Sequence, residues 1–322
     1  MTGRLASKVV VVTGGGTGIG RAVAGRVVAE GAAVVLGGRR RDVGERAAAE
    51  LRESGGRALF VATDVTVEAD VERLVQTAVT GFGRLDGAFN NAGGVAATGP
   101  VHTLTARDWH ADMAQNLTSV FHSLKFQIPA IAAAGGGSIV NNASIGGVRG
   151  IAGMPGYTAA KHGVVGLSRS AALENAGRGV RVNALVTGNA DTPLYRRLLD
   201  VPEDGDLPEP APNPTGRVAA LSELASFVAY LLSDEAAFIT GAALAIDGGA
   251  TCWPGGATPR NPPGRRWRLA GQPAGPIAQL ARGSGTRGAA AARAVASCVL
   301  RPGGPRWRPR HRPRTRRTDA YA

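Results

Sequence analysis

Tyr157 and Lys161 stand four residues apart in Tyr157-Thr158-Ala159-Ala160-Lys161, a spacing that places both side chains on one face of a helix. A free tyrosine has a pKa near ~10 and is a poor base at neutral pH; bringing it to about 7 takes ~4 kcal/mol in favour of the phenolate. A neighbouring ammonium supplies part of that bias, so the pair can act as an acid/base group, with Lys161 modulating Tyr157. Ser144 lies 13 positions before Tyr157 and carries a hydroxyl able to hydrogen-bond an oxygen on which negative charge develops. Taken singly, such a Tyr–Lys pair is ordinary helix packing, Ser144 a turn residue and Asn116 a surface polar residue. Their joint occurrence is what points to chemistry.

The elements that must position these groups follow an alternating pattern. Residues 8–13 (KVVVVT) read as a buried strand that runs into Thr13-Gly14-Gly15-Gly16-Thr17-Gly18-Ile19-Gly20, with a helix expected over 18–30. Glycines after a strand let the backbone turn tightly and approach a pyrophosphate seated on the following helix N-terminus. Further strands are expected at 33–36, 58–62, 85–89, 138–142, 180–185 and 242–246, and helices at 42–53, 67–81, 106–133, 157–175 and 223–232. Strands apolar on both faces and separated by helices imply an α/β fold, a doubly wound parallel sheet of about seven strands. Residues 187–216 carry six prolines and an acidic cluster at 200–209; they are expected to form an irregular lid or insertion.

The segment from Thr13 to Gly20 resembles the short-chain dehydrogenase/reductase family, and the resemblance extends over roughly residues 5–250, toward bacterial acyl-carrier-protein reductase-like and sugar dehydrogenase-like members. Asp64-Val65 resembles the pair flanking the adenine ring, Asn90-Asn91-Ala92-Gly93 the family's N-N-A-G element, and Tyr157 to Lys161 its Y-x-x-x-K. The resemblance implies a Rossmann fold and an NAD(P)-dependent oxidoreductase interconverting an alcohol and a carbonyl. Its catalytic set would be Asn116, Ser144, Tyr157 and Lys161, with Asn116 ordering a water behind Lys161 and Lys161 bonding the nicotinamide ribose. Gly14, Thr17, Gly18, Ile19, Gly20, Asn91, Ala92, Gly93 and Thr192 would contact the cofactor. One departure stands out: Thr187-Gly188 replaces the usual Pro-Gly after the sixth strand.

In such folds an acid at the end of the second strand binds the 2′-hydroxyl of NAD, whereas an Arg accommodates the 2′-phosphate of NADP. Here Gly38 occupies the acidic position and Arg39 follows it, which favours NADP over NAD. Thr17 stands where some NADP-preferring relatives carry a second basic residue, and Arg39–Arg41 could also be a solvated loop start. Ser144, Ile145, Gly146, Met154, Tyr157 and Leu194, with Gly94 and Val95, are expected to line a substrate pocket without an Arg or Lys to anchor a carboxylate. No histidine cluster has metal-ligand spacing, so no metal is expected.

The chain has 322 residues and a net charge of +13, which taken whole suggests a nucleic-acid or anionic-surface partner. Residues 1–250 hold 22 Lys and Arg against 23 Asp and Glu, whereas residues 251–322 hold 15 Arg against Asp319 alone. Two parts are therefore expected: a 1–250 oxidoreductase domain and a 251–322 tail whose Arg, Pro and Gly content implies disorder. A tether to nucleic acid or an anionic surface through that tail, and a catalytically silent nicotinamide-binding protein, are the alternatives. No apolar run reaches the ~18 residues needed to cross a bilayer, and residues 1–16 lack a secretory pattern, so a cytoplasmic enzyme is expected. The resemblance further implies a homotetramer packed through the 106–133 and 157–175 helices and the C-terminal strand.

Overall fold

The computed structural model describes residues 3–208 and 211–253. The remainder of the tail, and with it the expectation of disorder and tethering, lies outside the described residues.

Seven parallel strands form one sheet in the order β3-β2-β1-β4-β5-β6-β7. They are β1 (Val9–Thr13), β2 (Ala33–Gly38), β3 (Arg57–Ala62), β4 (Gly87–Asn90), β5 (Gly137–Asn142), β6 (Val180–Thr187) and β7 (Ala243–Ile246). The helices are α1 (Gly18–Ala29), α2 (Arg41–Glu53), α3 (Glu68–Phe82), α4 (Ala106–Met113), α5 (Ser119–Ala133), α6 (Pro155–Asn175), α7 (Pro193–Leu199) and α8 (Leu221–Leu232). This is the doubly wound Rossmann arrangement expected from the alternation.

The run of valines in β1 is explained by its two covered faces. Val10 and Val12 pack with α1 and α8, whereas Val9 and Val11 pack with Leu74 and Ala78 of α3 on the other side, as the period of two along a strand requires. The strand order reverses direction between β1 and β4, so a crevice opens at the carboxyl ends of the strands there.

Two elements differ from the sequence expectation. The long 106–133 helix is divided by a wide π-helical turn, Ala114–Thr118, which contains Asn116; such turns recur at functional sites. Within the stretch expected to be irregular lies α7. Thr192 accepts the N–H of Tyr195 at 3.1 Å as N-cap, and Pro193 is the first helical residue, two features that start a helix at little cost. Among the described residues no helix is long and apolar enough to cross a membrane.

Candidate active site

A cavity of about 1250 Å³ opens along the carboxyl ends of the strands, from the glycine turn after β1 to the start of α6. Gly14 and Gly18 have φ of +66° and +53°, the left-handed region that glycine occupies freely. Gly14, Thr17, Gly18 and Ile19 line the cavity. Gly20 does not: a Cβ there would sit 2.3 Å from the Gly14 carbonyl oxygen, so Gly20 lets α1 close on the turn. Thr17 caps α1 without a side-chain hydrogen bond and the first turn carries no acid. The leading N–H groups of α1 therefore suit an anion, and the cradle fits a dinucleotide pyrophosphate.

The rest of the cofactor set lies along the same wall. Arg39, Asp64, Val65, Asn91, Ala92, Gly93 and Thr192 all line the cavity, joined by Arg40. The turn after β4 is fixed to β1, because Thr13 Oγ1 accepts the N–H groups of Asn91 at 2.9 Å and Ala92 at 3.1 Å.

Ser144, Tyr157 and Lys161 meet at the floor. Lys161 is 4% exposed and donates from Nζ to the Asn142 carbonyl at 2.7 Å; burial pulls its pKa down from 10.5 to about 8. Its Nζ stands 5.6 Å from the centroid of the Tyr157 ring, one helical turn away as the spacing predicts. Burial pushes the Tyr157 phenol up, a hydrogen bond with Ser144 opposes that, and the Asp112 carboxylate adds to the rise. The protonated phenol is thus the resting form. Ser144 Oγ in turn accepts the N–H of Gly146 at 3.1 Å.

Besides Gly20, two of the expected residues stand off the cavity. Asn116 is wholly buried; its Nδ2 donates to the Gly94 carbonyl at 2.8 Å and its Oδ1 accepts the Gly94 N–H at 3.1 Å. The wide turn in the helix projects it toward that loop, 2.7 Å from where a Cβ on Gly93 would be. Gly146 was expected to touch substrate, but it is buried behind Ser144 and a Cβ on it would meet Ile151 Cδ1 at 2.9 Å. Ile145, Met154, Leu194, Gly94 and Val95 do line the cavity.

The sequence reading missed three sets of residues. Thr187 donates from Oγ1 to Asn142 Oδ1 at 3.1 Å, Asn142 Nδ2 donates to Asn91 Oδ1 at 3.0 Å, and Asn91 Nδ2 donates to the Thr13 carbonyl at 3.2 Å. The departure from Pro-Gly was the visible signal: proline has no hydroxyl to begin this chain. Gly188 is retained because a Cβ there would lie 2.6 Å from Asp247 Cα. Arg149 and Arg197 line the cavity, which corrects the expectation of a wall without cations; nothing in their spacing announced it. Asp112, buried on α4, accepts the Ala96 N–H at 2.9 Å, and burial raises its pKa.

His122 approaches the Val65 carbonyl at 3.2 Å and His162 that of Thr158 at 2.9 Å. Among the described residues no three His, Cys, Asp or Glu side chains gather as metal ligands do.

A family model described as enoyl-(acyl carrier protein) reductase matches residues 14–251. Cyclohexanol dehydrogenase of Acinetobacter sp. is 38% identical over 251 residues, covering 78% of this chain and 98% of that protein. Cis-4-hydroxycyclohexanecarboxylate dehydrogenase of Sinomonas cyclohexanicum is 45% identical over 249 residues, covering 76% and 97%. The crystal structure of carveol dehydrogenase from Mycobacterium avium in complex with NAD superposes with a TM-score of 0.74 at 28% identity, covering 78% of this chain and all of that one. Matched by the family model over residues 14–251 and by relatives over three quarters of its length, the chain belongs to the short-chain dehydrogenase/reductase family, enzymes that interconvert alcohols and carbonyls with a nicotinamide cofactor.

Proposed function

We propose that this chain oxidises a secondary alcohol on a saturated ring, or reduces the matching ketone, with Tyr157 as general acid/base. The observation that carries the reading is the junction of Ser144, Tyr157 and buried Lys161 on the floor of a cavity whose other end is a pyrophosphate cradle. The names of the relatives acting on cyclohexanol and on a hydroxycyclohexane acid support a ring alcohol.

A nicotinamide held by the Gly14–Ile19 turn and the wall of Asn91, Ala92, Gly93 and Thr192 would supply the hydride in reduction and accept it in oxidation. Tyr157 Oη gives its proton to the substrate oxygen in reduction and takes it in oxidation. The Ser144 hydroxyl hydrogen-bonds the same oxygen as charge develops on it. Lys161, held by the Asn142 carbonyl beside the Tyr157 ring, would hydrogen-bond the nicotinamide ribose. Asn116 positions this group through the Gly94 backbone.

The cofactor we infer is NADP. Support comes from Arg39 and Arg40, exposed at the cavity mouth with no carboxylate partner among the described residues, and from Gly38, which carries no acid to repel a 2′-phosphate. Exposed Phe121 on α5 and Leu173 on α6 support the homotetramer that the resemblance implies.

Turnover by the full chain of cyclohexanol, of ring-substituted cyclohexanols and of their ketones, read by nicotinamide absorbance with NADP and with NAD, tests the reading. Cofactor binding without turnover of any of them contradicts it.

A further inference from the structure

We infer that the substrate carries a carboxylate, which Arg149 binds; this rests on the ring-alcohol reading and adds the chemical class of the substituent. Arg149 follows Ser144 by five residues and precedes the loop leading into Tyr157, so it belongs to the same wall as the two groups that meet the substrate oxygen. It is half-buried and lines the cavity. Its Nη1 donates to the Ala250 carbonyl at 2.6 Å. Among the described residues no carboxylate pairs with the guanidinium. Four of the five N–H donors of the fork are left without a protein acceptor among the described residues.

The charge balance of the wall agrees. Asp64 is the one acid lining the cavity among the described residues, and it sits with Val65 and Thr66 at the end away from Tyr157. The wall beyond Tyr157, made by Ile145–Met154 and by α7, carries Arg149 and Arg197 and no acid. Arg197, exposed on α7, adds positive potential at the rim. A neutral ring alcohol needs neither guanidinium. A carboxylate across the ring from the hydroxyl would accept a bidentate pair of N–H bonds from Arg149, which fixes both position and orientation. The same contact would form with alcohol and ketone, so it acts on binding more than on the chemical step.

The test compares 4-hydroxycyclohexanecarboxylate with its methyl ester, each as both ring isomers, in the full-length wild type, Arg149→Gln and Arg149→Lys. The wild type is expected to favour one acid isomer over its ester by at least about tenfold in kcat/KM. Arg149→Gln should lower kcat/KM for the acid by about 30- to 100-fold, mostly through KM, and leave the ester within about twofold. Arg149→Lys should recover part of the acid activity, because a point charge replaces the fork. Equal losses for acid and ester in Arg149→Gln, with nicotinamide affinity unchanged, would assign Arg149 to holding the Ala250 backbone and overturn the proposal. So would equal wild-type activity on acid and ester. Failure of the wild type on both compounds while it turns over cyclohexanol would overturn the proposal alone; failure on cyclohexanol and on the ring ketones as well would overturn the ring-alcohol reading, and the proposal with it.

Discussion

Lys161 donates from Nζ to the carbonyl oxygen of Asn142, the last residue of β5, at 2.7 Å. One bond thus ties the helix that carries Tyr157 to the strand that leads to Ser144. The same lysine is 4% exposed, and burial pulls its pKa from 10.5 to about 8. The ammonium therefore costs folding free energy at neutral pH, where it is charged in both states. Between about 8 and 10.5 the unfolded chain holds a proton that the folded chain has released, so the contribution to stability rises with pH across that window.

Compared with Lys161→Met, the wild type should gain about 3 kcal/mol of stability between neutral pH and about pH 10. Urea unfolding of both proteins across that range measures the gap. A gap that does not change with pH would mean that the lysine is not held in a desolvating site.

Thr187 begins a chain of side-chain hydrogen bonds through Asn142 and Asn91 to Thr13, and Asn142 also receives Lys161. Thr187→Val keeps the shape and removes the donor, a change worth about 1 kcal/mol. The expected outcome is a kcat lower by about three- to tenfold with little change in substrate KM. A kcat equal to that of the wild type would show that Asn142 is held without Thr187.

Arg39 lines the cavity beside Gly38, at the end of β2. Arg39→Asp should lower the ratio of kcat/KM for NADP over NAD by at least about tenfold, since a carboxylate repels the 2′-phosphate and accepts the 2′-hydroxyl. An unaltered ratio would remove Arg39 from cofactor selection.

Much of this site can be read directly from spacing. The strand–glycine–helix run at Val9 to Gly20 and the helical register of Tyr157 and Lys161 are local, and the structure places them as that local pattern implies. The sheet was legible because β1 and β2 are apolar on both faces. Gly146 was assigned to a contact by its position beside Ser144 and Gly20 by its place in the glycine motif, yet the space around them is filled by Ile151 and by the Gly14 carbonyl; such close packing is a three-dimensional property. Arg149 was illegible for the same reason, since its partner is the Ala250 backbone, 101 residues away. The helix α7 could have been found: Thr192-Pro193 is a start signal that the surrounding prolines obscured.

The central claim is that Tyr157 transfers the proton at the substrate oxygen. Its most direct test is Tyr157→Phe in the full-length protein, assayed by nicotinamide absorbance on the best ring alcohol, together with cofactor affinity by fluorescence. A loss of about 100-fold or more in kcat, with cofactor affinity kept within a few-fold, is the predicted result. Turnover by Tyr157→Phe within about threefold of the wild type would contradict the account.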